Sequence, residues 1–253
     1  MSAKGGAGIR VAEVAWPEIE RRLEGGAIAV LPIGASSKEH GRHLPMDTDY
    51  RQAEWLGAEL AARAPVVVWP TLGYGYYPAF IEYPGSCSIA ADSFRAIVGE
   101  LLGCLHRAGS RHSLILNTGI STIAPLQTLL SESPVPGPRS TLVNVYDGAR
   151  YRAAAATLER QRRGGHADEL ETSIMLAIAP EAVAMDRAEA CDSHEIRGVF
   201  NRTDPAAPNH SPSGVYGDPT QASAEKGHQL LQAMLEDLRT AVERIGTGPG
   251  PAL

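Results

Sequence analysis

The chain has 253 residues, 43% of them hydrophobic and 21% charged, with a formal net charge of −6. That length and apolar content build a sizeable core and exclude a disordered, collagen-like or disulfide-stapled chain, and Cys87, Cys104 and Cys191 follow no zinc-ribbon spacing. No apolar run approaches the ~18 residues of a membrane span, the start lacks the core of a signal peptide, and no basic stripe marks a nucleic-acid surface. The expectation is a cytoplasmic protein that works on a small molecule, with neither nucleic acid nor membrane as partner.

In chain order, residues 1–8 are small and Gly-rich and read as a frayed, disordered start, followed by one α/β domain over 9–245 and a flexible tail over 246–253. Short Val/Ile/Leu runs at 27–33, 66–69, 113–117 and 141–146 predict strands buried on both faces. Between them, Leu56 with Leu60 begins one helical stripe. Ile97, Leu101, Leu102 and Leu105 form another, with Asp92 as its expected N-cap and Gly109 as its end. A third stripe, Leu230, Leu231, Met234, Leu235 and Leu238, closes the domain. Strand alternating with helix at this spacing implies a mostly parallel sheet covered on both faces. The Pro/Gly-rich segment 197–220 is too long for a plain connector and reads as a lid, a subunit contact or a disordered arm.

Polar, Gly-rich stretches directly follow the predicted strands, where parallel sheets bind ligands. The first holds Lys38, Glu39, His40, His43, Asp47 and Asp49, and a later one, HADELETS, holds His166, Asp168, Glu169 and Glu171. Imidazole and carboxylate form the ligand set of a Zn²⁺, Mn²⁺ or Fe²⁺ hydrolase. Asp168 stands where it can cap the helix that HADELETS opens. The loop 72–86 concentrates Tyr74, Tyr76, Tyr77, Phe80 and Tyr83, aromatics suited to a small-molecule pocket or equally to a subunit contact. Gly119, Ser121 and Thr122 leave a small hydroxyl-lined surface after the third strand. From these, Tyr74, Tyr76, Tyr83, Gly119 and Ser121 are the substrate-binding candidates.

Five ordered segments, LPIGASSKEHGRHLPMDTD, the Pro-Gly of EYPGS, LILNTG, HADELETS and GVYGDPTQASAEKG, resemble the signature segments of the creatininase family of amidohydrolases. The resemblance implies a three-layer α/β/α fold, a divalent-metal centre that usually holds two ions, hydrolysis of a C–N bond often in a ring, and a homo-oligomer, commonly a hexamer. It also marks departures. Lys38 stands at the family's metal-binding glutamate and Gly119 at its third-strand histidine, while His40, Asp49 and Glu171 match ligands that are kept. The matching pattern implies one ion per subunit, Zn²⁺ or Mn²⁺ with Fe²⁺ also compatible, on His40, Asp49 and Glu171. The Lys38 ammonium would then do the electrostatic work of the second cation. His166 matches the family's proton-shuttle histidine; its alternative role is a further metal ligand in place of the missing imidazole. Glu169 keeps the family's first glutamate and joins Lys38 and His166 as a catalytic candidate. The expected function is metal-dependent hydrolysis of a small cyclic amide or related ring. The alternatives are a metal-free hydrolase or cyclase using Lys38 and carboxylates, and a catalytically degenerate subunit used for binding or scaffolding.

Overall fold

A computed structural model describes residues 7–132, 139–191 and 198–247. Five strands, β1 (Ile9–Arg10), β2 (Ile28–Ile33), β3 (Val66–Val68), β4 (His112–Asn117) and β5 (Arg139–Asn144), form one parallel sheet in the order β1-β3-β2-β4-β5. Alternation along the strands splits the core in two. Val30, Val66, Val68, Leu114 and Leu116 face α2 (Thr48–Arg63), α5 (Ala149–Leu158), α6 (Glu169–Ile178) and α7 (Ala224–Gly246). Ala29, Leu31, Ile33, Val67 and Ile115 face α1 (Trp16–Glu24), α3 (Ala91–Arg107) and α4 (Ile123–Glu132). The result is the expected three-layer α/β/α sandwich.

The stripes behave as their spacing dictates, with two local differences. Leu56, Leu60 and the five apolar residues of α7 are buried. In α3 the buried face is Phe94, Val98, Leu102 and Leu105, which leaves Ile97 39% exposed. Asp92 lies inside the first turn of α3, paired with Arg95, because Ala90 occupies the N-cap position. Gly109 ends the helix at φ +100°, as a C-terminal glycine does.

Of the two ends read as frayed, residues 1–6 and 248–253 lie outside the described residues; Gly8 donates to Ala61 O at 2.6 Å, and Gly246 still belongs to α7. Within 198–217 the chain packs onto the domain. Phe200, Ser211, Val215 and Tyr216 are buried, and His166 and Tyr216 exchange both backbone hydrogen bonds, at 3.2 and 2.9 Å. No helix among the described residues is long and apolar enough to cross a membrane.

The closest helix crossing depends on a glycine. Gly227 of α7 lies against the Ser173 carbonyl of α6, where an added Cβ would collide with the carbonyl oxygen. We expect Gly227→Ala to force the helices apart and cost about 1–3 kcal/mol, read as a lower urea midpoint at unchanged slope.

Candidate metal centre

The residues gathered at the carboxyl edge of the sheet come from four places: the loop after β2, the start of α2, the turn before α6, and α6 itself. The Lys38 Nζ lies 2.7 Å from Asp49 Oδ2, and His40 Nε2 lies 3.0 Å from Asp49 Oδ1 and 3.7 Å from Glu171 Oε1. His166 Nδ1 is 3.9 Å from Glu171 Oε2. Asp168 caps α6 by accepting from Leu170 N and Glu171 N at 3.0 Å, as its position in the sequence suggested. Ala167 adopts φ +47°, a left-handed conformation uncommon for alanine, and its amide donates to Glu171 Oε2 at 2.7 Å. That turn aims the carboxylate at both imidazoles.

Hydrogen bonding decides which imidazole nitrogens are free. His40 Nδ1 is 2.9 Å from the Lys38 carbonyl, which can only accept, so Nδ1 carries the proton. His166 Nε2 faces two acceptors, Glu39 Oε1 at 2.8 Å and the Glu39 carbonyl at 3.0 Å, so it carries the proton there. That leaves His166 Nδ1 facing Glu171, and His40 Nε2 between Asp49 Oδ1 at 3.0 Å and Glu171 Oε1 at 3.7 Å. One ligand atom from each of His40, His166 and Glu171 fits within a 4.8 Å span. With a cation in place of the His40 Nε2 proton, two imidazole nitrogens and a carboxylate make a donor set for a divalent ion. Each imidazole also gives its other N–H to an oxygen, which orients metal-bound histidines.

The geometry therefore favours His166 as a ligand over His166 as a freely moving shuttle, since Glu39 occupies its second nitrogen. Asp49 sits beside the three, with one oxygen on His40 and the other on Lys38. Burial is the largest influence on both Lys38 and Asp49 and opposes both charges. For Lys38 the surrounding carboxylates, Asp49 first, outweigh burial and raise its pKa. For Asp49, Lys38 and then His40 outweigh it and hold the carboxyl well below its ordinary range. The Lys38 ammonium also lies 5.0 Å from the centre of the Phe80 ring, whose face attracts cations.

Lys38 and Asp49 line a narrow, nearly filled cleft together with Tyr74, Tyr76, Gly119 and Ser121. Four of the five residues expected to bind substrate thus share one wall. Tyr83 is elsewhere: it is buried with Tyr77, Phe80, Phe200 and Tyr216, and its hydroxyl donates to Ser211 O at 2.6 Å. Glu169 is elsewhere too. Its carboxylate pairs with Lys226 of α7 and accepts from Arg160 N at 2.7 Å and Gln161 N at 2.6 Å, so it ties the loop before α6 to α7 and lies outside the cluster. Tyr77, one of the aromatics expected to suit a pocket but not among the substrate-binding candidates, also lines the cleft. Glu39, which had no assigned role, holds His166; in an extended segment it points opposite Lys38 and His40, and nothing local names its partner.

Fold and donor set together define a class, a parallel α/β protein with an imidazole–carboxylate centre at the carboxyl ends of its strands. The family model for creatininase, described as creatinine amidohydrolase, matches residues 12–242, and the chain belongs to that family. It is 28% identical over 248 residues to a mycofactocin precursor peptide peptidase of Mycobacterium ulcerans (strain Agy99), covering 92% of this chain and 88% of that protein. To creatinine amidohydrolase of Pseudomonas putida it is 26% identical over 252 residues, covering 92% and 95%. Among solved structures it resembles creatinine amidohydrolase (creatininase), with a TM-score of 0.80 at 22% identity, covering 96% of this chain and 99% of that one. A structure titled "Creatininase Mn" superposes with a TM-score of 0.79 at 23% identity, covering 96% and 100%.

His43 supplies a pH test of this packing. It is buried, its Nε2 lies 2.8 Å from Thr172 Oγ1, and its Nδ1 has no partner. Burial pushes its pKa from 6.5 down to about 4. The unfolded chain therefore binds a proton that the folded protein refuses between those values, so this contribution to stability is intact above pH 6.5 and falls as pH drops toward 4. We expect His43→Gln to flatten the stability profile across that window by up to one proton, about 1.4 kcal/mol per pH unit at most; equal slopes in denaturant melts of both proteins would contradict the assignment.

Proposed function

We propose that this chain is a metal-dependent hydrolase of a small molecule carrying an amide or related carbonyl, most simply a cyclic amide, with one divalent ion, zinc or manganese, per subunit. The observation that supports it is the convergence of His40 Nε2, His166 Nδ1 and the Glu171 carboxylate within one small span. The names of its relatives span a creatinine amidohydrolase, a mycofactocin precursor peptide peptidase and a 3-dehydro-scyllo-inosose hydrolase, and all of them name hydrolytic chemistry. In this reading the chain works in the cytoplasm as a homo-oligomer, the assembly its family resemblance implies.

An ion among His40, His166 and Glu171 supplies Lewis acidity that makes water nucleophilic at neutral pH. The remaining work falls to the chain. Lys38, held charged by Asp49, has two further N–H donors to direct at the carbonyl oxygen as negative charge grows there. Asp49 fixes that ammonium and limits its motion. Glu39 keeps His166 in the tautomer whose Nδ1 faces the cluster. Tyr74 and Tyr76 wall the cleft beside Lys38, and their rings suit a flat substrate.

Elemental analysis of untagged, chelator-free protein tests the reading. We expect about one ion per chain, retained in Lys38→Met and lost in His40→Ala. In a hydrolysis screen of lactams, cyclic ureides and short peptides, Lys38→Met should lower kcat by roughly 10²–10³-fold. No ion after soaking with Zn²⁺ or Mn²⁺ would overturn the metal assignment, and two ions would overturn the substitution of one cation by Lys38.

A further inference from the structure

Tyr77 is 2% exposed, lines the cleft beside Lys38, and its hydroxyl has no hydrogen-bond partner. Its ring lies along the Gly75 backbone, and no acceptor takes its proton. A buried hydroxyl left in that state is costly, and such exceptions mark sites where a ligand completes the bonding. Burial also raises the phenol's pKa, chiefly by desolvation, so it stays a neutral donor.

Several carbonyl acceptors around the same cleft are already taken. The Leu72 carbonyl accepts from Gly34 N, the Gly75 carbonyl from Ile89 N, and the Gly119 carbonyl from Asn117 Nδ2 and Thr122 Oγ1. Both Asp49 oxygens face cations or imidazole, Lys38 on one side and His40 on the other. The cleft thus offers donors in surplus: two N–H groups of Lys38 and the Tyr77 hydroxyl. A ligand that completes it brings oxygen acceptors.

We propose that Tyr77 and Lys38 together form the substrate-recognition pair of this cleft, gripping an oxygen acceptor, a carboxylate or a ring carbonyl, on a small flat compound. This rests on the reading of the cleft as the substrate site and goes beyond it by naming the second donor and the ligand class. It also separates folding from function at one proton, because the Tyr77 hydroxyl hydrogen has no acceptor within the fold.

Tyr77→Phe tests it in two ways. Thermal melting should show a Tm equal to or above that of the wild type, because a buried orphan hydroxyl has been removed; a clear fall would show that the hydroxyl is bonded within the fold and would sink the proposal. Calorimetry with pyroglutamate, which carries both a carboxylate and a ring carbonyl, should show binding to the wild type that weakens by roughly tenfold or more in Tyr77→Phe. Pyrrolidinone, which has only the carbonyl, separates the two acceptors: binding by both probes assigns the ring carbonyl, and binding by pyroglutamate alone assigns the carboxylate. Failure of both probes to bind the wild type, or equal binding to Tyr77→Phe, overturns the pair. Metal content measured on the same samples keeps the two readings apart. Ion-free protein that binds pyroglutamate through Tyr77 removes the metal hydrolase and leaves the recognition pair, whereas ion-loaded protein indifferent to Tyr77→Phe does the reverse.

Discussion

The buried pair of Lys38 and Asp49, 2.7 Å apart with side chains 9% and 2% exposed, is the constraint on which the rest of the site depends. Neither charge is tolerable alone at that depth, since removing one partner of a buried pair costs about 3–5 kcal/mol. The pair also sets the imidazole between them. The Lys38 carbonyl takes the His40 Nδ1 proton while Asp49 Oδ1 faces Nε2, so the backbone and side chain of two residues fix one ring in tautomer and direction. A lysine replacing a ligand would usually be expected to dismantle a metal site. Here the Lys38 backbone still fixes the orientation of His40, and its ammonium stands beside Asp49.

The charge balance carries the argument one step further. Within the cluster Lys38 is the ammonium, and Asp49, Glu171 and Glu39 are carboxylates with side chains 2%, 12% and 5% exposed. Three carboxylates against one ammonium leave two negative charges in a region of low dielectric, which burial strongly disfavours. In the proposed reading, a divalent cation between His40, His166 and Glu171 would offset that excess.

How much of this could be read in the sequence follows from how local each cause is. Apolar runs located β2 to β4 to within a residue or two, and Asp168 announced itself as a cap because a helix N-terminus is a local event. Position at strand ends singled out the polar stretches around Lys38 and His166, and the resemblance to creatininase picked Lys38, His40, Asp49, His166 and Glu171 out of them. Glu169 was misplaced for an equally local reason. It lies two residues before Glu171 on the same helix, and residues two apart do not share a face, so when Glu171 turns to the imidazoles Glu169 turns to Lys226. Its partner lies 57 residues on, and no pattern within the motif points there. Tyr83 and Glu39 fail likewise, since their partners belong to Ser211 and His166.

The aromatic loop shows why composition alone could not assign that stretch. Its residues serve two faces. Tyr74, Tyr76 and Tyr77 line the cleft, while Phe80 and Tyr83 turn to the segment that brings Phe200, Ser211 and Tyr216. Phe80 stands between the two, its ring 4.3 Å from that of His166 and 5.0 Å from the Lys38 ammonium. The long segment after 197 is tied in at the same place, by the backbone bonds of Tyr216 to His166 and by the close approach of Gly214 to Glu39, where a side chain at φ +86° would collide with the carboxylate. It therefore acts as a wall that keeps water from the carboxylate–imidazole network. Excluding water strengthens each charge interaction inside, so a single lysine can hold its charge, orient a histidine's neighbour and still have donors left for a ligand. The apolar segments with no polar role of their own are what give Lys38 that strength.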